Sequence, residues 1–160
     1  MLIELELLTL LVMANGAPII ARHLFGNCCS WPIDGGLKLP SGNPLLGQSK
    51  TLRGLVSAVV LTAVIAPLMG IDWHWGAAIG GLAMLGDLIA SFTKRRLGYP
   101  PSSQAIGLDQ IPESLVPLLV IAPGFQLKPW SIFMIVLAFA VVVPLLSRLF
   151  YLLGIRRRPY

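Results

Sequence analysis

The segment GDLIASFTKRRLGYPPSSQAIGLDQ, Gly86 to Gln110, decides how the rest of the chain is read. It starts inside an apolar run, where Gly86-Asp87 interrupts Ile, Gly, Ala, Leu and Met, and it leaves that run at Lys94-Arg95-Arg96. A loop with Pro100-Pro101 follows, and a second acid, Asp109-Gln110, precedes the next apolar run. On a helix Asp87, Ser91 and Lys94 fall at i, i+4 and i+7 and share one face. They run roughly 10 Å along it at 1.5 Å per residue. Two carboxylates with a basic cluster between them are what a magnesium–nucleotide site needs: oxygen ligands for a hard cation and cations for phosphate oxygens.

Of the 160 residues 56% are hydrophobic and 12% charged, about half the charged share of soluble domains. The chain therefore reads as an all-α, polytopic integral membrane protein in a single membrane domain. At about 20 residues per span the length permits five transmembrane helices. They are expected at 2–23, 52–69, 76–92, 112–123 and 130–153, with polar loops at 25–50 and 94–110. Glu4 and Glu6 stand where a cleaved leader carries positive charge, so no cleavage is expected. Cys28 and Cys29 are adjacent and have no partners at metal-ligand spacing. They read as reduced thiols. The net charge of +5 fits cytoplasmic loops facing anionic lipid better than it fits nucleic acid.

Other polar groups cluster around the apolar runs. Asn15-Gly16-Ala17-Pro18 lies within the first span, where Pro18 removes a backbone donor; the segment reads either as a packing kink or as an opened turn that, with Asn15, lines a polar pocket. The first loop is longer than usual connections and contains Asp34-Gly35-Gly36. Lys50, Thr51 and Arg53 then sit at the start of the second span and read as a phosphate cradle at a helix N-terminus. This is not a Walker A loop, since counting back from Lys50-Thr51 puts Pro44 and Ser49 where its two glycines belong. Gly70 to Trp75 reads as a turn with interfacial tryptophans. Small residues from Gly76 to Ala83 allow close helix packing, which places the ionisable Asp87 deep in the bundle as a functional residue.

Charge sets the orientation. With both loops and the C-terminus, including Arg156 to Arg158, in the cytoplasm, Lys128 is the single basic residue of 12 left outside. The N-terminus is then outside, and every polar motif meets on the cytoplasmic side of the cell membrane.

The ordered motifs NGAP (Asn15–Pro18), DGG (Asp34–Gly36), LGQSKTLRG (Leu46–Gly54), GDLIASFTKRR (Gly86–Arg96) and DQ (Asp109–Gln110) resemble the CDP-archaeol synthase family over essentially the full length. The resemblance implies five transmembrane helices and a cytoplasmic active site. It also implies magnesium-dependent transfer of CMP from CTP to a membrane lipid phosphate, the archaeal phosphatidic acid analogue, with release of pyrophosphate. Asp87, Ser91 and Lys94-Arg95 match the first half of the wider cytidylyltransferase signature, D-x3-S-x2-K-R. Asp109 stands where that signature has its second metal-binding acid, although the preceding Lys-Asp and His-Gly-Gly are absent here. Carried over residue by residue, Asp87 and Asp109 would bind magnesium. Lys94 and Arg95 would act catalytically on phosphate with them. Ser91 falls in the same signature; on the chemistry of the residues themselves, Asn15, Lys50, Thr51, Arg53, Arg96 and Gln110 would join it in contacting nucleotide or phosphate, with Asp34 a further candidate.

Three rival readings compete with this one. A diacyl phosphatidic acid could replace the isoprenoid acceptor. A CDP-alcohol phosphatidyltransferase requires DGxxAR, which Asp34-Gly35 does not begin. A small transporter usually shows two related halves, and no internal repeat is present.

Overall fold

Backbone polar groups within lipid must be satisfied inside their own segment, so apolar runs of this length fold as helices. A computed structural model describes residues 2–26, 28–38, 42, 44–100, 103–105 and 107–154. Arg156 to Arg158, Asn43, Pro101 and Ile106 lie outside the described residues. The elements are α1 (Leu2–Phe25), α2 (Leu52–Ile65) with a 3-10 extension (Ala66–Met69), α3 (Trp73–Arg96), α4 (Gln110–Phe125) and α5 (Pro129–Leu152). Among the described residues there is no β-strand, only isolated bridges in the first loop, such as Pro32 to Thr51. Four segments, α1, α2 with its extension, α3 and α5, are long and apolar enough to cross a membrane. The shorter α4 has 16 residues.

α3 is the most enclosed of the four. It packs chiefly on α2 and α4, while α1 lies against α2 and α5 bridges α1 and α4. Leu7, Leu10 and Leu11 meet Ile79, Leu118 and Phe139 in the core. Much of the large apolar surface faces outward, including Val56, Val60 and Val64 of α2 and Leu137, Val141 and Leu145 of α5. A soluble fold hides such side chains; here the surrounding lipid is their solvent.

Glycines, Gly76 among them, fix the spacing around α3. A methyl group on Gly80 would strike Thr62 Oγ1 and the Ala58 carbonyl of α2. One on Gly86 would strike the carbonyl of Pro112, so α4 approaches α3 at backbone distance next to Asp87. The small-residue face expected to pack tightly does so.

Three local expectations need correction. α3 begins at Trp73, so the last three residues of the expected turn are already helical. Asp72 provides the start, with its carbonyl accepting from the amides of Trp75 and Gly76. α1 runs through Pro18 without interruption, and Asn15 projects from a helix rather than from an opened turn. The Pro18 ring lies against Gly54 of α2, where the missing side chain leaves room for it. α4 starts at Gln110, two residues before the expected span, because Asp109 and Gln110 tie back to the preceding loop.

Candidate active site

The C-terminal ends of α1 and α3 and the N-terminal ends of α2 and α4 lie at one end of the bundle, as the antiparallel order of neighbouring helices requires. Each brings polar side chains there. From α3, Asp87 sits two turns inside the helix end and is half-buried. Lys50 reaches in from the loop before α2, its Nζ 2.5 and 2.7 Å from the two Asp87 oxygens. Burial depresses the Lys50 ammonium, but the Asp87 carboxylate outweighs it and holds the group above the ordinary lysine range. Lys50 is therefore charged at neutral pH.

Glu113, on the first turn of α4 and buried, lies within hydrogen-bonding reach of Asp87. On its other side, Asn15 Nδ2 donates to Glu113 Oε2 at 2.5 Å. Asn15, Glu113, Asp87 and Lys50 thus form one chain of contacts crossing from α1 through α4 and α3 to the first loop. Two carboxylates this close need a cation or a proton between them.

A second cluster lies nearer the helix ends. Lys94 pairs with Asp109 Oδ1 at 2.5 Å and donates to the Ser103 carbonyl at 2.9 Å. Asp109 Oδ2 accepts from the Ala105 amide, and Gln110 Oε1 from the Gly107 amide. These bonds fold the loop before α4 over the end of α3. Arg95 is buried, donates to the Tyr99 carbonyl, and has an Nε without a hydrogen-bond partner among the described residues. Ser91 is buried on the helix face between Asp87 and Lys94.

Several expected site residues stand apart from these clusters. Lys50, Thr51 and Arg53 do not converge as a cradle. Thr51 caps α2, its hydroxyl accepting from the Gly54 amide at 3.2 Å. Arg53 turns outward, with Nη1 donating to the carbonyls of Gly26 and Cys28. Arg96 is exposed and stacks 4.8 Å above the Phe92 ring. Asp34 clamps the first loop, accepting from the amides of Gly36, Leu46 and Gly47. Burial pushes the Asp34 carboxyl up, but these backbone donors outweigh it and hold the group below the usual carboxylate range.

Glu113 was not among the residues expected at the site. The signal was present: it is an acid inside an apolar run, the same criterion that singled out Asp87. Hydropathy places Glu113 at the second residue of the expected 112–123 span but gives it no neighbour, since its partners come from other helices.

Among the described residues no three His, Cys, Asp or Glu side chains converge on a metal position. Asp87 and Glu113 offer a carboxylate pair, which suits a hard cation that takes one or two carboxylates and completes its shell with water and phosphate oxygens.

Comparison with known proteins places this arrangement. A family model described as CarS-like CDP-archaeol synthase matches residues 74–160, which include Asp87, Lys94, Asp109 and Glu113. The CDP-archaeol synthase of Sulfurisphaera tokodaii is 33% identical over 155 residues, 93% of this chain and 90% of that protein. The chain belongs to the CDP-archaeol synthase family. The family's Hyperthermus butylicus member is 36% identical over 145 residues, covering 85% of this chain and 80% of the relative. A solved intramembrane enzyme for archaeal membrane lipids biosynthesis superposes with a TM-score of 0.75 at 30% identity, covering 86% of this chain and 87% of its own. With its apolar helices, this member of the CDP-archaeol synthase family is a multi-pass membrane protein.

Proposed function

We propose that the chain transfers CMP from CTP to a membrane lipid phosphate of the archaeal, isoprenoid ether type, releasing pyrophosphate. The observation that carries the chemistry is the Asp87–Glu113 pair flanked by Lys50, with the Lys94–Asp109 pair beside it. Family membership supplies the reaction class. A phosphate oxygen of the acceptor attacks the α-phosphorus of CTP, forming one P–O bond as the bond to pyrophosphate breaks. The acceptor is a largely ionised phosphomonoester near neutral pH, so positioning and charge neutralisation matter more than a strong general base.

Asp87 and Glu113 would hold magnesium, with Asp109 nearer the entrance. Held there, the ion would supply Lewis-acid and charge-neutralising chemistry to the phosphates. In the structure the lysines neutralise Asp87 and Asp109. With substrate bound, Lys50 and Lys94 turn to phosphate oxygens, and Arg95 adds a planar donor. Asn15 orients the Glu113 carboxyl through its amide.

The same reading places the site on the cytoplasmic side, with the N-terminus outside. Support comes from the basic residues, which gather at the ends of α1, α2 and α3 nearest the acids. The 16-residue α4 is a fifth, short crossing of about 24 Å, whose N-terminal turn serves the site instead of lipid.

The test is label transfer from CTP by purified protein in detergent with magnesium, on geranylgeranyl-type and diacyl lipid phosphates side by side. We expect product with the isoprenoid lipid, its loss with a chelator, and inactive but folded Asp87→Asn. Full activity in that variant would overturn the assignment, and product with the diacyl lipid alone would change the acceptor.

A further inference from the structure

Between α1 and α2 runs an open groove of about 610 Å3. Its walls are Ala17, Ala21 and Leu24 of α1 and the stripe Val56, Val60 and Val64 of α2. The two alanines make the trough, and the valines, four residues apart, line one helix face. From Arg53 to Val64 it follows α2 for about 17 Å. That is about half of a ~30 Å hydrocarbon core, the depth of one leaflet and so of one lipid chain.

Its polar end has a distinct chemistry. Among the described residues Arg53 is the sole charged one lining the groove. Its Nη1 is taken by the Gly26 and Cys28 carbonyls, whereas its buried Nε has no hydrogen-bond partner among the described residues. Three residues before it, ahead of the extended N-cap Thr51, stands Lys50, bound to Asp87. A chain lying here would carry an anionic headgroup to the edge of the acid cluster.

We propose that this groove seats one hydrocarbon chain of the acceptor and that Arg53 binds the acceptor's phosphate, not the nucleotide. The inference rests on the reaction proposed above. The occupant is a phosphate-bearing lipid because a neutral lipid offers nothing to the guanidinium, and a chain without a headgroup has no reason to stop at Arg53.

Cys29 lines the mouth of the groove and is exposed, which makes it a native reporter. In a Cys28→Ser background, its labelling rate by a maleimide is measured with an isoprenoid glycerol phosphate, with the same lipid lacking phosphate, and with CTP. Slowing by the phosphate lipid alone, lost in Arg53→Gln and kept in Arg53→Lys, is expected. Equal slowing by the neutral lipid means the groove holds bulk lipid and overturns the proposal. So does a labelling rate that instead falls with protein concentration, the mark of a second copy.

Kinetics provide the other arm. Val60→Trp, which fills the groove from an exposed position, is expected to raise KM for the long-chain acceptor at least about tenfold while the KM for CTP moves less than about twofold. Normal transfer with unprotected Cys29 and a silent Val60→Trp refutes the groove and leaves the reaction standing. No transfer to any lipid phosphate by the wild type refutes the reaction, and this role for Arg53 with it.

Discussion

Glu113 carries more of the site than its place in an apolar helix implies. It touches Asp87 on α3 and accepts from Asn15 on α1, so one carboxyl joins three helices. Glu113→Gln keeps the shape and a hydrogen-bonding end but removes the charge that the proposed magnesium ion would need. It is expected to lower CMP transfer by about 10²-fold or more, in the range of losing one group that stabilises transition-state charge. Helix content in detergent should be unchanged. Activity within a few fold of wild type would make Glu113 a packing residue and leave Asp87 to act with Asp109. Asp87 itself was legible without the fold, because an ionisable residue at membrane depth is costly and retained for a reason. Which carboxylate stands beside it was not legible: Asp109 is nearer in sequence, yet Glu113 is the one brought into contact.

At the scale of the element, that contact depends on Gly86. The α4 backbone at Pro112 and Glu113 occupies the space a side chain would need. Gly86→Ala would push the α4 N-terminus off α3, at a cost of about 1–3 kcal/mol for overpacking. Transfer should fall steeply, with a lower unfolding midpoint in detergent. Wild-type activity with Gly86→Ala would show that α4 can yield without moving Glu113. The first loop is a second element with a structural acid. Asp34 has a folded pKa below its unfolded one, so the stabilisation it gives is complete above about pH 4 and is lost as pH falls through the depressed value. The protection factors of the Leu46 and Gly47 amides, measured against the intrinsic exchange rate at each pH, should therefore stay high from neutral pH to about pH 5 and fall only under stronger acid. Asp34→Asn should exchange quickly already at neutral pH; slow exchange in that variant would mean other contacts hold the loop. Helix positions were readable to within a few residues from hydropathy alone. Their ends were not, because α3 and α4 gain their first turns from Asp72 and from the loop bonds of Asp109 and Gln110.

Across the whole molecule, the polar end of the bundle balances charge before any substrate arrives, with Lys50 on Asp87 and Lys94 on Asp109. The positive charge flagged in sequence as one phosphate-binding group is thereby divided: Lys50, Lys94 and Arg95 point inward, Arg96 stacks outside, and Arg53 faces the groove between α1 and α2. By itself the sequence determined the solvent, the helical class and the family. Apolar runs of near-membrane length leave the backbone no alternative to helices, and the ordered motifs from Asn15 to Gln110 carry the resemblance. Only the tertiary structure decided which of the polar residues meet. Helical spacing fixes a side chain's direction on its own helix, while the contact of Glu113 with Asp87, or of Lys50 with the same acid across the 36 residues between them, depends on how closely separate helices approach. That approach is set by missing side chains, at Gly80 and Gly86, whose effect appears only once the neighbouring helix is in place.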